Sequence, residues 1–240
     1  MANAITVGRV CALFVVIWLM YTGDAGVVQA SAAAIAVIIA ADALDGWVAR
    51  RRNETGQFGA IFDIVGDRIV ENALWIVFAH LGLVPLWVPL LVVTRGFLVD
   101  GLRSASYEDG MTPFGEKNVM RSTFTTWLTA GRPMRALYGG AKALAFVFLA
   151  GLYAWLTTPT AGTWIGAVYQ HPWVRVVGWT AVWLSVALAV IRGIPAIADS
   201  VAYIREKDAR VASAGDRGAP LQTRASTATV DLGELDRASL

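Results

Sequence analysis

The sequence has few of the residues that would build a soluble, disulfide-bonded or zinc-binding protein. A single cysteine, Cys11, occurs among 240 residues, so the chain cannot form an internal disulfide or a cysteine-based zinc site. Charged residues make up 16% of the chain, against about 25% in soluble domains. Hydrophobic residues make up 56%, and there are 23 glycines besides. This composition excludes an ordinary soluble globule, a disordered chain and a collagen-like chain.

Six apolar runs are each close to the ~20 residues needed to cross a ~30 Å hydrocarbon layer. They cover residues 5–22, 27–48, 60–80, 84–103, 136–157 and 174–198. Because lipid offers no partner to unpaired backbone groups, each run is predicted to be a helix. The first run is short enough to resemble a signal-peptide core, but no convincing small-residue cleavage site follows it. We therefore predict an all-α integral membrane protein with six transmembrane helices.

The distribution of lysine and arginine predicts that both termini are cytoplasmic. The three connections expected on the outer side, about 23–26, 81–83 and 158–173, contain neither residue. The connections expected on the cytoplasmic side contain Arg50, Arg51, Arg52, Lys117, Arg121, Arg132 and Arg135. Positive charge on cytoplasmic loops is the usual pattern of multi-pass proteins. The protein is expected in the cell inner or plasma membrane.

Residues 1–204 are predicted to form one membrane domain that is followed by a cytoplasmic tail. The tail, residues 205–240, is small, polar and of mixed charge without an apolar period, so we expect it to be disordered. The long cytoplasmic connection, about 104–135, combines aromatic and basic residues and is expected to fold against the membrane surface. Nothing in the sequence predicts a nucleic-acid partner.

Four aspartates lie in or at the ends of the second and third apolar runs, where carboxylates are costly and usually functional. Asp42 and Asp45 are three residues apart, and Asp63 and Asp67 are four apart, so each pair shares one helix face. The connection between the two helices is short, so the acidic faces are expected to meet near the cytoplasmic surface. Converging carboxylates need cations, and hard oxygen ligands without histidine or cysteine favour Mg²⁺, Mn²⁺ or Ca²⁺.

These aspartates belong to a longer motif. It reads Asp42-x-x-Asp45-Gly46-x-x-Ala49-Arg50, then eight residues, then Gly59-x-x-x-Asp63-x-x-x-Asp67. At all eight fixed positions it resembles the signature of the CDP-alcohol phosphotransferases. The resemblance extends more loosely over residues 1–204 and includes Asn3-x-x-Thr6-x-x-Arg9 near the start.

The resemblance implies a phosphatidyltransferase that uses a CDP-linked lipid, CDP-diacylglycerol. It implies that two divalent ions, Mg²⁺ or Mn²⁺, are held by Asp42, Asp45, Asp63 and Asp67. It implies a nucleotide site lined by Gly46, Ala49, Arg50 and Gly59. Asp67 would also take the proton of the acceptor hydroxyl while CMP leaves. Members of the family are expected to be homodimers.

The fourth run ends with two arginines, Arg95 and Arg103, eight residues apart and therefore on one side of the helix at its cytoplasmic end. Such a pair is costly unless it meets carboxylates, lipid phosphates or an anionic ligand. This stretch resembles the corresponding segment of phosphatidylglycerophosphate synthases, in which the acceptor carries a phosphate. Lys142, which closes a Gly-x-x-Lys element at the start of the fifth run, is a third candidate phosphate contact or else an orientation anchor.

Glycerol 3-phosphate is accordingly the expected acceptor. Inositol phosphate and phosphatidylglycerol are the alternatives within the same chemistry. An ion or proton transporter that uses the intramembrane carboxylates as a relay is the alternative from another class. The position of both acidic pairs near one membrane face, together with Gly46, Arg50 and Gly59, favours the transferase.

Overall fold

The computed structural model describes residues 2–52, 57–107 and 123–218 of the chain. Within these ranges the regular structure is entirely α-helical, which confirms the predicted all-α class. The helices are α1 (Ala2–Met20), α2 (Ala25–Arg52), α3 (Gln57–His80), α4 (Trp87–Tyr107), α5 (Thr123–Ala130), α6 (Arg132–Thr157), α7 (Trp164–Tyr169) and α8 (Pro172–Gly218).

The six predicted runs correspond to α1, α2, α3, α4, α6 and α8. Among the described residues, two stretches are both long and apolar enough to cross a membrane, Thr125–Thr157 and Pro172–Arg210. Two shorter apolar helices cover Thr6–Met20 and Ala25–Ala41. The number of six crossings and the cytoplasmic position of both termini stay predictions.

Short polar or glycine-containing turns separate α1 from α2 and α3 from α4. Asp24 precedes α2, and its Oδ1 accepts the Val27 N–H at 2.9 Å, which satisfies one of the free N–H groups of a helix start. After α3, Gly82 has φ of 74°, a backbone conformation that glycine adopts without strain. The Leu83 N–H there donates to the Phe78 carbonyl at 2.9 Å. These tight turns make α1 and α2, and likewise α3 and α4, antiparallel neighbours.

The hydrophobic core lies among α1, α2, α3 and α6. α1 packs against α2 and α3, and α6 packs against α2 and α3. Leu13, Ile35, Trp75 and Phe78 are among the largest fully buried side chains, and Trp75 meets Phe146 edge-on at 5.0 Å between ring centroids. α4 packs against α3, so α3 has α1, α4 and α6 as neighbours.

α7 is a short helix between α6 and α8 that packs against α6. Its last residue, Tyr169, donates a hydrogen bond from its hydroxyl to the Phe148 carbonyl at 2.9 Å. Burial raises the pKa of the Tyr169 phenol to about 12, so the hydroxyl stays a donor at physiological pH. Gly151 faces the ring of this tyrosine and leaves it the space that a side chain would fill.

The first part of the predicted tail is helical. The chain divides into two units, Met1–Ser200 and Val201–Leu240. In the second unit, residues 201–218 form the end of α8, and the division into a membrane domain and a disordered tail stays a prediction. This stretch lacks proline and is rich in alanine, arginine and other good helix formers, so its polarity excludes burial but not helix formation. Residues 219–240 lie outside the described residues, as do residues 108–122 of the long cytoplasmic connection.

Candidate active site

The four aspartates of the motif lie on two helices. Asp42 and Asp45 lie near the C-terminal end of α2, and Asp63 and Asp67 lie in the first turns of α3. Both helices continue without a break through these positions, so each pair shares a helix face on the backbone. Among these four, the side chain of Asp67 alone is described. The metal ligand set therefore stays a prediction, as does the nucleotide site at Gly46, Ala49, Arg50 and Gly59, whose surroundings also lie outside the described part.

Asp67 forms an ion pair with Arg9 of α1. The Arg9 guanidinium donates to Asp67 Oδ1 at 2.7 Å, a length typical of charge-assisted hydrogen bonds. The arginine side chain is only 10% exposed, whereas that of the aspartate is 49% exposed. The carboxylate is thus oriented from one side by a buried cation and remains accessible on the other. Among the described side chains, no three histidine, cysteine or acidic residues converge on a common point.

Gly66 allows α1 to approach α3 closely enough for this ion pair. A Cβ atom at Gly66 would lie 2.5 Å from Cγ2 of Thr6 and 3.6 Å from Nη2 of Arg9. Thr6 is itself buried at this contact. Thr6 and Arg9 are three residues apart on α1 and therefore lie on the same helix face. The opening motif of the chain thus packs directly against the end of the aspartate motif.

A second polar cluster lies one helical turn further along α3, around the carboxylate of Glu71. Glu71 is 3% exposed, and both of its oxygens are hydrogen-bonded. Its Oε1 accepts the Tyr138 hydroxyl at 2.7 Å, and its Oε2 accepts Lys142 Nζ at 3.0 Å. Arg68 lies 3.4 Å from the same Oε2 and forms a 3.0 Å ion pair with Asp100 of α4. This cluster joins α3, α4 and α6.

Lys142, predicted to contact the acceptor phosphate, thus has Glu71 as a described partner. An ammonium group has three N–H donors, and this side chain is still 22% exposed, so the ion pair leaves it able to bind an anion. Its role as a phosphate contact stays a prediction.

Arg95 crosses from α4 towards α8. Its Cγ would lie only 2.8 Å from a Cβ at Gly193, so the Arg95 side chain can pack against α8 there because residue 193 has no side chain. Its Nε is buried without a hydrogen-bond partner among the described residues. Arg103 lies two turns later on α4, and its side chain is outside the described set. Their joint role in an acceptor pocket stays a prediction.

Arg192 of α8 connects these elements. It is buried, donates to the Thr129 carbonyl at 2.7 Å, and lies with its guanidinium carbon 5.1 Å from the centroid of the Tyr138 ring. It is adjacent in sequence to Gly193, against which Arg95 packs. Lys142, Tyr138, Arg192 and Arg95 therefore form a chain of neighbours from α6 through α8 to α4.

Sequence reasoning missed the central position of Glu71. The signal was available, because Glu71 is an acidic residue inside an apolar run, four residues after Asp67. Tyr138 and Lys142 are also four residues apart, which is the spacing of two donors on one helix face. That Tyr138 and Lys142 of α6 meet Glu71 of α3, however, depends on tertiary packing, which their spacing in the sequence does not reveal.

A family model described as CDP-alcohol phosphatidyltransferase matches residues 1–191. The chain belongs to this family, whose members are membrane proteins. It is 33% identical over 113 residues to the Bacillus subtilis (strain 168) protein named CDP-diacylglycerol–glycerol-3-phosphate 3-phosphatidyltransferase, covering 42% of this chain and 58% of the relative. It is 28% identical over 153 residues to a "Probable phosphatidylglycerophosphate synthase" of Mycobacterium tuberculosis (strain CDC 1551 / Oshkosh), covering 62% of this chain and 73% of the relative.

A shorter match involves a different acceptor. The chain is 45% identical over 40 residues to "CDP-diacylglycerol–inositol 3-phosphatidyltransferase 1" of Arabidopsis thaliana, covering 17% of this chain and 18% of the relative. The match to the Bacillus protein likewise spans less than two thirds of the relative's length.

Proposed function

We propose that the protein transfers a phosphatidyl group from CDP-diacylglycerol to the hydroxyl of glycerol 3-phosphate and releases CMP. The observation that carries the proposal is the eight-residue motif from Asp42 to Asp67, which lies on α2 and α3 within the region that the family model matches. The names of the Bacillus and Mycobacterium relatives support the same reaction.

In this reaction the acceptor hydroxyl oxygen attacks the phosphorus on the lipid side of the pyrophosphate. A new P–O bond forms, and the bond from that phosphorus to the CMP oxygen breaks. The half-exposed carboxylate of Asp67 accepts the proton of the hydroxyl, and Arg9 holds this carboxylate in place. CMP leaves with the electron pair of the broken bond.

Two divalent ions, Mg²⁺ or Mn²⁺, fit the donor set of the motif. Asp42, Asp45, Asp63 and Asp67 would supply only hard carboxylate oxygens, the ligands these ions prefer. The accessible carboxylate of Asp67 is consistent with a ligand role beside its role as a base. Bound ions would offset the negative charge of the pyrophosphate and of the leaving CMP.

The nucleotide end of the donor would lie against the remaining residues of the motif. Gly46 and Gly59 lack side chains that would obstruct a ligand, and Ala49 is small. Arg50 offers a planar fork of donors that suits a phosphate. These roles are the ones that the family motif implies, and with them the cytidine would lie against the motif residues of α2 and α3.

For the acceptor, the described cations favour a phosphorylated alcohol. Lys142 and Arg95 belong to one chain of neighbours, and Arg103 lies on the same side of α4 as Arg95. Inositol phosphate is the second candidate acceptor, whereas the relative from Arabidopsis is named for inositol without a phosphate. Phosphatidylglycerol is a further alternative, and a carboxylate-relay transporter is the alternative from another class.

We further propose that the protein acts as a homodimer in the inner or plasma membrane, with membrane lipid around it and the active site facing the cytoplasm. CDP-diacylglycerol and the soluble acceptor meet only at a membrane surface. The basic residues of the predicted cytoplasmic loops support this orientation.

The deciding experiment offers the purified protein CDP-diacylglycerol with a panel of alcohols, namely glycerol 3-phosphate, inositol 1-phosphate, inositol, glycerol and phosphatidylglycerol. We expect CMP release and a lipid product whose mass is that of phosphatidylglycerophosphate. The variant Asp67→Asn is the control and should release no CMP above background. Product from another alcohol would change the acceptor, and absence of CMP release with every alcohol would reject the transferase.

A further inference from the structure

The carboxylate of Glu71 is buried at a position where the proposed reaction gives it no direct role. A buried carboxylate is costly unless it is paired and hydrogen-bonded. Glu71 satisfies this condition entirely with side chains, because it accepts from Tyr138 and Lys142 of α6 and lies close to Arg68 of its own helix. A buried carboxylate such as that of Glu71 either contributes to stability alone or also holds the side chains that it pairs with in fixed positions.

The partners of Glu71 differ from it in accessibility. Glu71 is 3% exposed, whereas Lys142 is 22% exposed and Arg68 is 29% exposed. The buried anion therefore lies beside two cations whose side chains are partly exposed. Arg68 is also neutralised by Asp100, so Lys142 is the cation that Glu71 chiefly orients.

Glu71 and Asp67 lie four residues apart on α3, which places them on one face and one turn from each other. One turn of α3 thus carries Asp67, the proposed base, at one end and Glu71, the ion-pair partner of Lys142, at the other. An acceptor whose phosphate binds Lys142 would have its hydroxyl held at a set distance from Asp67. Such fixed positioning is a large source of rate enhancement when two reactants must meet.

We propose that Glu71 is a positioning residue for the acceptor: it holds the Lys142 ammonium and the Tyr138 hydroxyl in register with Asp67. The inference rests on the proposed transfer to a phosphorylated alcohol. It assigns to Glu71 the geometry of the acceptor site and not the binding of CDP-diacylglycerol.

The test measures KM for glycerol 3-phosphate and for CDP-diacylglycerol separately in the full-length protein. Glu71→Ala should raise the acceptor KM about tenfold or more and leave the CDP-diacylglycerol KM within about twofold, because the lost contacts are charge-assisted. Glu71→Gln keeps the shape and an acceptor oxygen but loses the charge, so its acceptor KM should lie between those of Glu71→Ala and the wild type.

The matched control is Tyr169→Phe, compared with Tyr138→Phe. Both tyrosines donate a hydroxyl hydrogen bond to a buried acceptor, but Tyr169 donates to the Phe148 carbonyl and touches no residue of the Glu71 cluster. Tyr138→Phe should raise the acceptor KM several-fold, and Tyr169→Phe should leave it unchanged even if the Tm falls. Equal acceptor KM values in the two variants would overturn the inference.

A double-mutant cycle provides the second test and covers the case in which Glu71→Ala does not fold. Glu71→Gln/Lys142→Met removes both charges, so no unpaired charge remains buried. Its acceptor KM should equal that of Lys142→Met alone, because Glu71 acts through Lys142. Additive effects of the two substitutions would contradict the inference.

The wild type separates a failure of this inference from a failure of the proposed function. If the wild type makes no product from any phosphorylated alcohol, the proposed function fails and the inference fails with it. If the wild type uses glycerol 3-phosphate and Glu71→Ala and Glu71→Gln both keep the wild-type acceptor KM, the inference alone fails.

Discussion

At the scale of single residues, the carboxylates of the motif have different surroundings and different expected tasks. Asp67 is fixed by Arg9 and is half-exposed, which suits a group that must receive a proton and contact ligands. Asp42, Asp45 and Asp63 are expected to act as metal ligands. Because oxygen ligands of Mg²⁺ are few and specific, each should be indispensable.

The first prediction concerns these three aspartates. Asp42→Ala, Asp45→Ala and Asp63→Ala should each abolish CMP release without unfolding the helices, since each removes a ligand and also relieves like-charge crowding. A chelator should abolish wild-type activity, and Mg²⁺ or Mn²⁺ should restore it. The control is Asp24→Ala, which removes a carboxylate from the other end of α2 and should remain active. Full activity in chelator would reject the metal proposal.

The second prediction concerns Arg95. Arg95→Ala should raise the acceptor KM about tenfold to a hundredfold, because a charge-assisted contact is worth roughly 1.5–3 kcal/mol. Arg95→Lys should restore part of the loss, since it keeps the charge but not the planar fork. Arg175→Ala is the matched control, because Arg175 lies in the first turn of α8, about five turns before Gly193, and packs on Trp155. If the acceptor KM is the same in Arg95→Ala as in the control, the arginine is structural.

At the scale of helices, the contact between α1 and α3 decides where Arg9 meets Asp67. The third prediction is that Gly66→Ala lowers the stability by about 1–3 kcal/mol, because the new Cβ would lie 2.5 Å from Cγ2 of Thr6. Thermal unfolding in detergent measures this effect as a lower Tm. Activity should fall with it, since the ion pair lies on the same faces.

Two further variants isolate the cause. Thr6→Ser removes only the methyl group that the new Cβ would meet, so Thr6→Ser/Gly66→Ala should recover most of the Tm. Gly8→Ala is the matched glycine on α1 with open space around it, and it should leave the Tm unchanged or raise it, because alanine favours helices by up to about 1 kcal/mol. Equal Tm values for Gly8→Ala and Gly66→Ala would show that the close approach is unimportant.

The sequence predicted which long helices exist better than it predicted where each helix begins and ends. Apolar runs located α1, α2, α3, α4, α6 and α8, because lipid and core both require long apolar helices. They missed α7, whose six residues lie in a connection without an apolar run, and they ended α8 too early. Hydrophobicity reports burial, whereas a polar helix end such as residues 205–218 depends on local propensity.

In the candidate site, too, the sequence predicted some features and not others. Residues that share a helix, such as Asp63 and Asp67, could be grouped from their spacing alone. Contacts between distant segments could not: the pairing of Arg9 with Asp67 joins residues 58 positions apart, and that of Glu71 with Lys142 joins residues 71 apart. Asp67 belongs to the motif from Asp42 to Asp67, and Arg9 and Lys142 belong to looser elements of the resemblance, but none of these patterns indicates which residues pair.

At the scale of the whole molecule, the fourth prediction tests the orientation in the membrane. In a Cys11→Ser background, Asn53→Cys in the α2–α3 connection should react only with thiol reagents that enter the cytoplasm. Ala161→Cys, which is exposed before α7, should react with impermeant reagents applied outside. Labelling intact cells, with lysed cells as the control, measures both. The reverse pattern would place the active site on the side without CDP-diacylglycerol.

The turn of α3 from Asp67 to Glu71 has a consequence for how the molecule can move. Through Arg9, Asp100 and Lys142, this turn is tied to α1, α4 and α6. A rotation or sliding of α3 would break all three ion pairs at once, so we expect α3 to keep its position when substrate binds. Backbone amides of this turn should therefore exchange their hydrogens with solvent last, at the same rate with and without CDP-diacylglycerol, whereas the ends of α2 and α4 should become protected only on binding.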